Sequence, residues 1–244
     1  MRADHQNPMP VSQHSSPSND FALLDAAWAL DLTGELRRRV VAETLIRSVR
    51  AGGYVCRKGE PVTAWVGVLK GLVKLSSTTA EGRCVTFTGV PTGGWFGEGS
   101  LLKSEPRRYD AIALKDSTIA YVPRRTFMLL LDTNVGFNRF LLVQLNERLG
   151  QFIGMLEHDR SLPPESRVAS ELAVLFNPIL YPGNRDTIAI SQEELANLVG
   201  LSRQRTNRAL KTLAQTGLIR VDYRGVRVLD VEKLRNYAAG THRT

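Results

Sequence analysis

The chain has few cysteines and no long apolar run. Only Cys56 and Cys84 occur among 244 residues, which excludes a disulfide-stapled scaffold and a zinc or iron–sulfur site held by four cysteines of one chain. Wholly apolar stretches such as 128–131 are short, whereas a membrane helix needs about 20 apolar residues. Residues 1–20 lack the apolar core of a signal peptide. We expect a cytoplasmic protein whose two cysteines lie buried and inert in strands.

Sequence patterns of catalysis are also missing. The chain contains no phosphate-binding glycine loop, no H-E-x-x-H motif and no recognisable Ser–His–Asp set. The neighbouring acids Glu193 and Glu194 point about 100° apart on a helix, so they do not form a catalytic pair. We therefore expect no enzymatic activity and no metal site.

Charge and composition favour a folded protein with an anionic partner. Hydrophobic residues make up 43 % of the chain, and 32 basic against 24 acidic side chains give a net charge of +8. A basic excess indicates an anionic partner without identifying it. Residues 1–19 are rich in Ser, Pro, Asn and Gln, and they predict a disordered tail.

Residues 51–123 have the texture of antiparallel β-structure. Short β-branched or aromatic runs alternate with glycine turns, which predicts a sandwich, roll or barrel. Residues 22–49 before it predict two helices divided at Thr33-Gly34, the second continuing to Val49. A short helix is expected at about 124–131.

Residues 135–159 predict one long helix with a narrow apolar stripe. The stripe recurs at intervals of three and four residues and consists of Leu142, Leu145, Leu149, Phe152 and Leu156. Such a stripe suits pairing with a second copy of the same helix in a two-fold dimer. The alternative is packing against the β-structure of the same chain.

The stretch 187–221 has the pattern of a helix-turn-helix. Ser191 and Glu194 predict a capping box, and Gly200 predicts the end of that first helix. Ser202 is placed to cap a second helix. Between Leu195 and Val221 there are five basic residues and no acidic one, as expected of a surface that binds DNA phosphates.

The second helix supplies the candidate DNA contacts. We expect Arg203 and Arg208 to read bases, and Ser202 and Arg205 to bind phosphates. Strands at 218–221 and 226–229 predict a wing whose Arg224 or Arg227 touches the backbone. The alternative is a helical hairpin with a solvated basic face. The full candidate set is Ser202, Arg203, Gln204, Arg205, Asn207, Arg208 and Lys211.

The order of these parts resembles the Crp/Fnr superfamily of bacterial transcription regulators. The resemblance rests on Gly59-Glu60, on 69–74 (Leu-Lys-Gly-Leu-Val-Lys), on 95–98 (Trp-Phe-Gly-Glu) and on 201–203 (Leu-Ser-Arg). It implies an α+β fold. An N-terminal double-stranded β-helix (jelly-roll) domain of the cyclic-nucleotide-binding type would span 20–132, a dimerisation helix 133–160, and a winged helix-turn-helix 161–244.

The resemblance also implies an effector pocket. In members that bind cyclic nucleotides, a Gly-Glu pair and an arginine hold the ribose and the phosphate. Gly97, Glu98 and Arg107 match them, with Arg108 as the alternative arginine, and Arg148 matches an arginine of the long helix. The departures from the pattern are Tyr109 and Asp110 beside the arginine, and Phe152 and Ile153 in place of the hydroxyl pair that contacts adenine. These departures favour a different small effector, or no small effector, over cyclic AMP.

Other branches of the superfamily need ligands that this sequence does not offer. The iron–sulfur branch needs an N-terminal cysteine cluster, and residues 1–55 contain no cysteine. The haem branch needs an axial ligand near the β-roll, but the histidines lie in the tails and at the helix end. We therefore expect neither haem nor an iron–sulfur cluster.

The predicted function is that of a homodimeric regulator that binds a palindromic operator in double-stranded DNA. If it activates transcription, RNA polymerase is a further partner. The alternatives are a regulator that does respond to cyclic AMP, or a cyclic-nucleotide-binding module that acts through protein contacts.

Overall fold

The computed structural model describes residues 23–79, 81–82, 84–158, 162–184, 187–222 and 225–240, without the side chains of 155–158. The predicted tail 1–19 lies outside these residues. The first part of the described chain is a β-roll with flanking helices, and the second is a small helical unit with a three-stranded sheet.

The β-roll consists of two antiparallel four-stranded sheets that face each other across an apolar core. The sheet orders are β1-β8-β3-β6 and β2-β7-β4-β5. Side chains from both sheets, such as Val66, Ile119, Val73 and Val90, meet in one buried cluster, because alternate residues of each strand point to the same face. The strands are β1 Leu45–Val49, β2 Tyr54–Cys56, β3 Ala64–Lys70, β4 Leu72–Thr78, β5 Cys84–Pro91, β6 Trp95–Phe96, β7 Asp110–Ala113 and β8 Ser117–Pro123.

The helices of this part cover one side of the roll. They are a short 3-10 helix Ala27–Ala29, followed by α1 Gly34–Glu43, α2 Glu98–Lys103, α3 Arg124–Thr133 and α4 Val135–His158. The prediction that the helix beginning at Gly34 continues to Val49 is wrong. The helix ends at Glu43, and Leu45–Val49 pairs antiparallel with β8, from Leu45 opposite Tyr121 to Val49 opposite Ser117. Pairing with a distant strand outweighs the local helical pattern.

An aromatic cluster joins these helices to the roll. All three tryptophans of the chain meet there, since Trp65 lies 4.3 Å from Trp95 and 5.3 Å from Trp28 between ring centroids. Phe127 of α3 and Phe137 of α4 pack edge-on against Trp65. Tilted and edge-to-face rings are the favourable arrangements, so the cluster anchors the start of the long helix to the β-roll.

The C-terminal part is a winged helix-turn-helix. Its elements are α5 Pro164–Leu175, β9 Thr187–Ile188, α6 Gln192–Val199, α7 Arg203–Gln215, β10 Ile219–Asp222, β11 Gly225–Val228 and α8 Val231–Ala238, with sheet order β10-β11-β9. The wing strands begin and end within one residue of the predicted positions. Leu172, Leu195, Leu210 and Leu213 share its core.

This domain, which we call the DNA-binding domain from here on, rests against the β-roll of its own chain. Leu72 of β4 belongs to the core of the DNA-binding domain, and a Cβ on Gly89 of β5 would lie 2.8 Å from a methyl of Leu175. The Lys74 ammonium donates to both carboxylate oxygens of Glu194 at 3.1 Å. Apolar contact and a shared ion pair therefore hold the two units together.

The cysteines differ from the prediction. Cys56 is partly buried, and burial raises the pKa of its thiol. Cys84 is exposed, so the prediction that both cysteines are buried is wrong for Cys84, which lies at the first position of β5. In the part of the chain that the structure describes, no helix is long and apolar enough to cross a membrane.

Candidate functional site

The caps predicted for the helix-turn-helix are present. The Ser191 hydroxyl accepts from the Glu194 amide at 3.1 Å, and the Ser202 hydroxyl accepts from the Arg205 amide at 3.3 Å. Gly200 has a φ of 63°, a left-handed conformation that glycine adopts at little cost. The Glu194 side chain turns to Lys74, so only one half of the predicted capping box forms.

Helix α7 separates a buried face from a basic exposed face. Thr206, Ala209, Leu210 and Leu213 are buried. The candidate DNA contacts lie on the opposite face, where Asn207 is partly buried and the others are exposed: Ser202, Arg203, Gln204, Arg205, Arg208 and Lys211. A helix with four cations on its free face fits the major groove and its flanking phosphates.

The wing extends this positive surface. Arg220 of β10 stands opposite Arg227 of β11, and both are exposed. Of the two wing arginines named from the sequence, Arg224 lies outside the described residues. The charge at the wing therefore rests, among described residues, on Arg220 and Arg227.

The apolar stripe of α4 is exposed on the protomer. Leu142 is 68 % exposed and Leu149 58 %, with Phe152 at 50 % and Leu145 at 37 %. The side chain of Leu156 lies outside the described residues. Packing on the chain's own β-roll, the alternative considered for this stripe, does not bury these four residues. An exposed apolar row of this length marks a surface for a partner.

Gly97 and Arg107, which the sequence assigns to an effector pocket, meet inside the β-roll. Arg107 is buried, and its Nη2 donates to the Ala64 carbonyl oxygen at 2.6 Å. Gly97 has a φ of 94°, and a Cβ at this position would overlap the Arg107 guanidinium. Glycine is therefore required both by the backbone conformation and by the close approach of the arginine.

Glu98 and Arg148 form a buried ion pair beside Arg107. Arg148 Nε lies 3.6 Å from Glu98 Oε1, and Arg148 Nη2 donates to the Trp95 carbonyl oxygen. Burial disfavours the charged guanidinium, but Glu98 leads the neighbours that raise the pKa of Arg148 above its usual range. Arg148 therefore joins the pocket from the long helix, rather than serving as a solvated charge.

Among the described residues, three buried polar atoms of this group lack hydrogen-bond partners, and one of them is Arg148 Nε, whose contact with Glu98 is 3.6 Å long. Neither Glu98 Oε2 nor Arg107 Nη1 has a hydrogen-bond partner among the described residues, and both are buried. Buried polar groups are normally hydrogen-bonded. An acceptor beside a cationic donor fits a ligand that carries a hydroxyl next to an anionic group.

Arg108, the alternative arginine, does not join the pocket. It is exposed and donates to Glu105 at 2.6 Å. Asp110 accepts from the Lys58 backbone amide at 2.9 Å, so it braces a turn. Phe152 and Ile153 are half-exposed on α4. Within the described residues, no three His, Cys, Asp or Glu side chains gather into a metal-binding group.

Two tyrosines complete the pocket, and sequence reasoning identified only one. Tyr109 packs 6.4 Å from Phe96 between ring centroids, and burial, with Glu98 nearby, raises the pKa of its hydroxyl. Tyr181 comes from the loop between α5 and β9. Burial raises the pKa of Tyr181, while Arg148 and a side-chain hydrogen bond with Thr88 act in the opposite direction. No local pattern signals this insertion, because it depends on contact between the two domains.

Comparison with known proteins agrees with both parts of the chain. A cyclic nucleotide-binding domain model matches residues 46–134, and a Crp-like helix-turn-helix domain model matches 147–237. The Cyclic AMP receptor protein of Thermus thermophilus is 30 % identical, over 71 % of this chain and 78 % of the relative. The CRP-like cAMP-activated global transcriptional regulator of Mycobacterium tuberculosis is 28 % identical, over 77 % and 85 %.

A solved structure gives the same assignment. A Crp/Fnr family transcriptional regulator from Thermus thermophilus superposes with a TM-score of 0.55 at 28 % identity, over 80 % of this chain and 98 % of that chain. Fold, domain order and sequence similarity thus coincide. The chain belongs to the Crp/Fnr family of transcriptional regulators, with a cyclic-nucleotide-binding-type β-roll and a Crp-like helix-turn-helix.

Proposed function

We propose that the protein is a homodimeric regulator that binds a palindromic operator in duplex DNA through α7. The observation that carries this proposal is the free basic face of that helix, opposite a fully packed one. Because its partner is DNA, the protein would act in the cytoplasm. If it activates, it also contacts RNA polymerase, and no catalytic step is needed.

The roles along α7 follow from side-chain geometry. Arg203 and Arg208 carry forked donors that suit guanine edges, and Gln204 and Asn207 suit adenine. Ser202 uses its hydroxyl oxygen as a cap acceptor, which leaves its hydrogen for a phosphate. Arg205 and Lys211 supply phosphate contacts and make the affinity salt-dependent.

The exposed α4 stripe supports the dimer. An a/d row pairs well with an identical row across a two-fold axis. The two copies of α7 would then meet half-sites about 34 Å apart, one turn of DNA. The signal would act by shifting the position of these two helices relative to each other.

For the effector, we propose a small molecule other than cyclic AMP. The unpartnered atoms of Glu98 and Arg107 fit a hydroxyl and an anionic group, as a sugar phosphate would offer. Tyr109 and Tyr181 fill adjacent space, and Phe152 and Ile153 offer no hydroxyl to a base. The competing candidate is cyclic AMP itself, which the names of two relatives carry.

The test is selection of bound duplexes from a random pool, with and without cyclic AMP. We expect one palindromic site, recovered equally in both arms. A site recovered only with cyclic AMP would establish the competing effector. Arg203→Ala should lose sequence preference and remain dimeric; unaltered preference would overturn the role of α7. As a control, Gln215→Ala, at the exposed far end of α7, should select the same site.

A further inference from the structure

The loop between α5 and β9 is built to enter the β-roll. Leu180 and Tyr181 are 2 % and 1 % exposed, and both belong to the core between the two sheets. The Asn177 side-chain oxygen accepts from the Ile179 and Leu180 amides at 2.9 Å. Asn184 ties the end of the loop to the Leu175 carbonyl oxygen at 2.7 Å. The loop is thus held in shape by its own polar side chains.

The β-roll makes room for this loop with glycines. A Cβ on Gly94 would lie 2.8 Å from Cδ1 of Tyr181, and a Cβ on Gly93 would lie 2.6 Å from the Gly183 nitrogen. Both distances are shorter than normal carbon contacts allow. The turn between β5 and β6 therefore fits the loop backbone and the Tyr181 ring closely.

Tyr181 lies among the polar groups of the effector pocket. It shares a buried cluster with Phe96, against which Tyr109 also packs. Burial raises the pKa of its hydroxyl, and the nearby Arg148 and Thr88 oppose that rise. Glu98 and Arg107 each keep one unpartnered buried atom in this pocket. A ligand bound at these groups would therefore lie close to Tyr181 in the same core.

Movement of Tyr181 is tied to movement of the DNA-binding helices. The loop follows α5, and α5 shares one core with α6 and α7. The same domain is also held to the roll by the Leu175 contact with Gly89 and by the Lys74–Glu194 ion pair. Withdrawal of the loop therefore loosens a continuous interface rather than a single side chain.

We propose that Tyr181 is a stopper carried by the DNA-binding domain: it closes the effector pocket of its own chain, and a ligand that displaces it releases that domain from the β-roll. Tyr181 thereby also determines specificity, because its ring takes up space that a planar base would need. This inference rests on the proposed function, since it names the coupling between the two sites. Such coupling is reciprocal, so DNA that binds the released domain also opens the pocket.

The first experiment measures access to the pocket without any effector. In the full chain with Cys56→Ser and Cys84→Ser, a Thr88→Cys thiol is labelled with N-ethylmaleimide. Thr88 is 8 % exposed, whereas Val85 on the same strand is 41 % exposed, so Val85→Cys gives the open reference rate. With Tyr181 in place we expect Thr88→Cys to label at least about tenfold more slowly than Val85→Cys. Equal rates would overturn the stopper.

Variants of the loop distinguish the effect of the Tyr181 ring on the labelling rate from the effect of the rest of the loop. Tyr181→Ala should raise the Thr88→Cys rate about tenfold, because opening the pocket then requires no ring withdrawal. Ile179→Ala, on the exposed side of the same loop, should leave the rate unchanged, and Tyr181→Phe should stay near the parent. A Tyr181→Ala rate equal to the parent rate would contradict the proposal.

The second experiment tests coupling with Tyr181 intact, so it does not depend on the folding of a Tyr181 variant. Saturating duplex DNA, of the sequence recovered from the random pool, should accelerate Thr88→Cys labelling several-fold. Binding is followed by anisotropy in the same samples. DNA binding with unchanged labelling overturns the coupling alone. Absence of DNA binding overturns the proposed function, while the first experiment still decides the stopper.

Discussion

Glu171 gives a prediction with a defined sign and size. This carboxyl on α5 is 5 % exposed, its Oε1 has no hydrogen-bond partner among the described residues, and burial raises its pKa to about 8 from 4.5. Below pH 4.5 the group is protonated whether the chain is folded or not, so the full stability is present. As pH rises from 4.5 to 8, the unfolded chain releases this proton more readily, and the folded state loses stability.

The magnitude follows from the interval between the two pKa values. Each pH unit between them is worth about 1.4 kcal/mol, so the loss reaches roughly 4 to 5 kcal/mol at pH 8. Glu171→Gln removes the titrating group and keeps its shape. The variant should match the parent near pH 4.5, and its advantage should grow steadily up to pH 8. Tyr181, the titratable neighbour, stays neutral over this range because its pKa is raised.

The assay is urea unfolding at pH 5, 6.5 and 8, followed by circular dichroism at 222 nm. Glu193→Gln, an exposed acid of the same domain, is the matched control and should show no growing advantage. A stability difference for Glu171→Gln that stays constant with pH, or shrinks toward pH 8, would refute the assignment of a buried protonated carboxyl.

Three further variants test other parts of the structure. Leu149→Glu should dissociate the dimer, since it buries a charge in the stripe, whereas Val135→Glu, at an exposed position near the helix start, should not; sedimentation velocity measures both. Gly97→Ala should destabilise the β-roll by about 1 to 3 kcal/mol through overlap and backbone strain, measured by thermal unfolding, and an unchanged melting temperature would speak against the pocket packing. Glu194→Gln should remove the ion pair with Lys74 and destabilise the contact between the domains by about 1 kcal/mol or less. Amide exchange in β4 should become faster, and the exchange rate should depend less on added salt than in the parent.

Features fixed by short-range chemistry were predictable from the sequence. Ser191, Gly200 and Ser202 mark helix ends through contacts with residues three or four positions away, so the pattern itself locates the helix-turn-helix. The resemblance to known regulators added Gly97, Glu98 and Arg107, and the structure brings these together. Arg148 also joins them, although the residues alone did not distinguish a pocket role from a surface charge.

Features that depend on distant partners were not predictable. Leu45–Val49 continues a helical pattern but becomes a strand because β8 offers an edge to pair with. Glu194 leaves its expected cap for Lys74, 120 residues earlier in the chain. Tyr181 lies in a loop with ordinary turn residues, and only the docking of one domain on the other gives it a place in the pocket.

Because all three tryptophans lie in one cluster, the fluorescence of the protein comes from one part of the chain. Trp28, Trp65 and Trp95 lie within one core of the β-roll, and the sequence has no tryptophan after Trp95. Tryptophan fluorescence therefore reports on the β-roll part of the chain. It does not detect unfolding of the DNA-binding domain alone. Because the Trp95 carbonyl accepts from Arg148, a ligand that draws this arginine away should shift the emission without any added dye. The unlabelled protein thus carries its own fluorescence signal on the β-roll side of the chain.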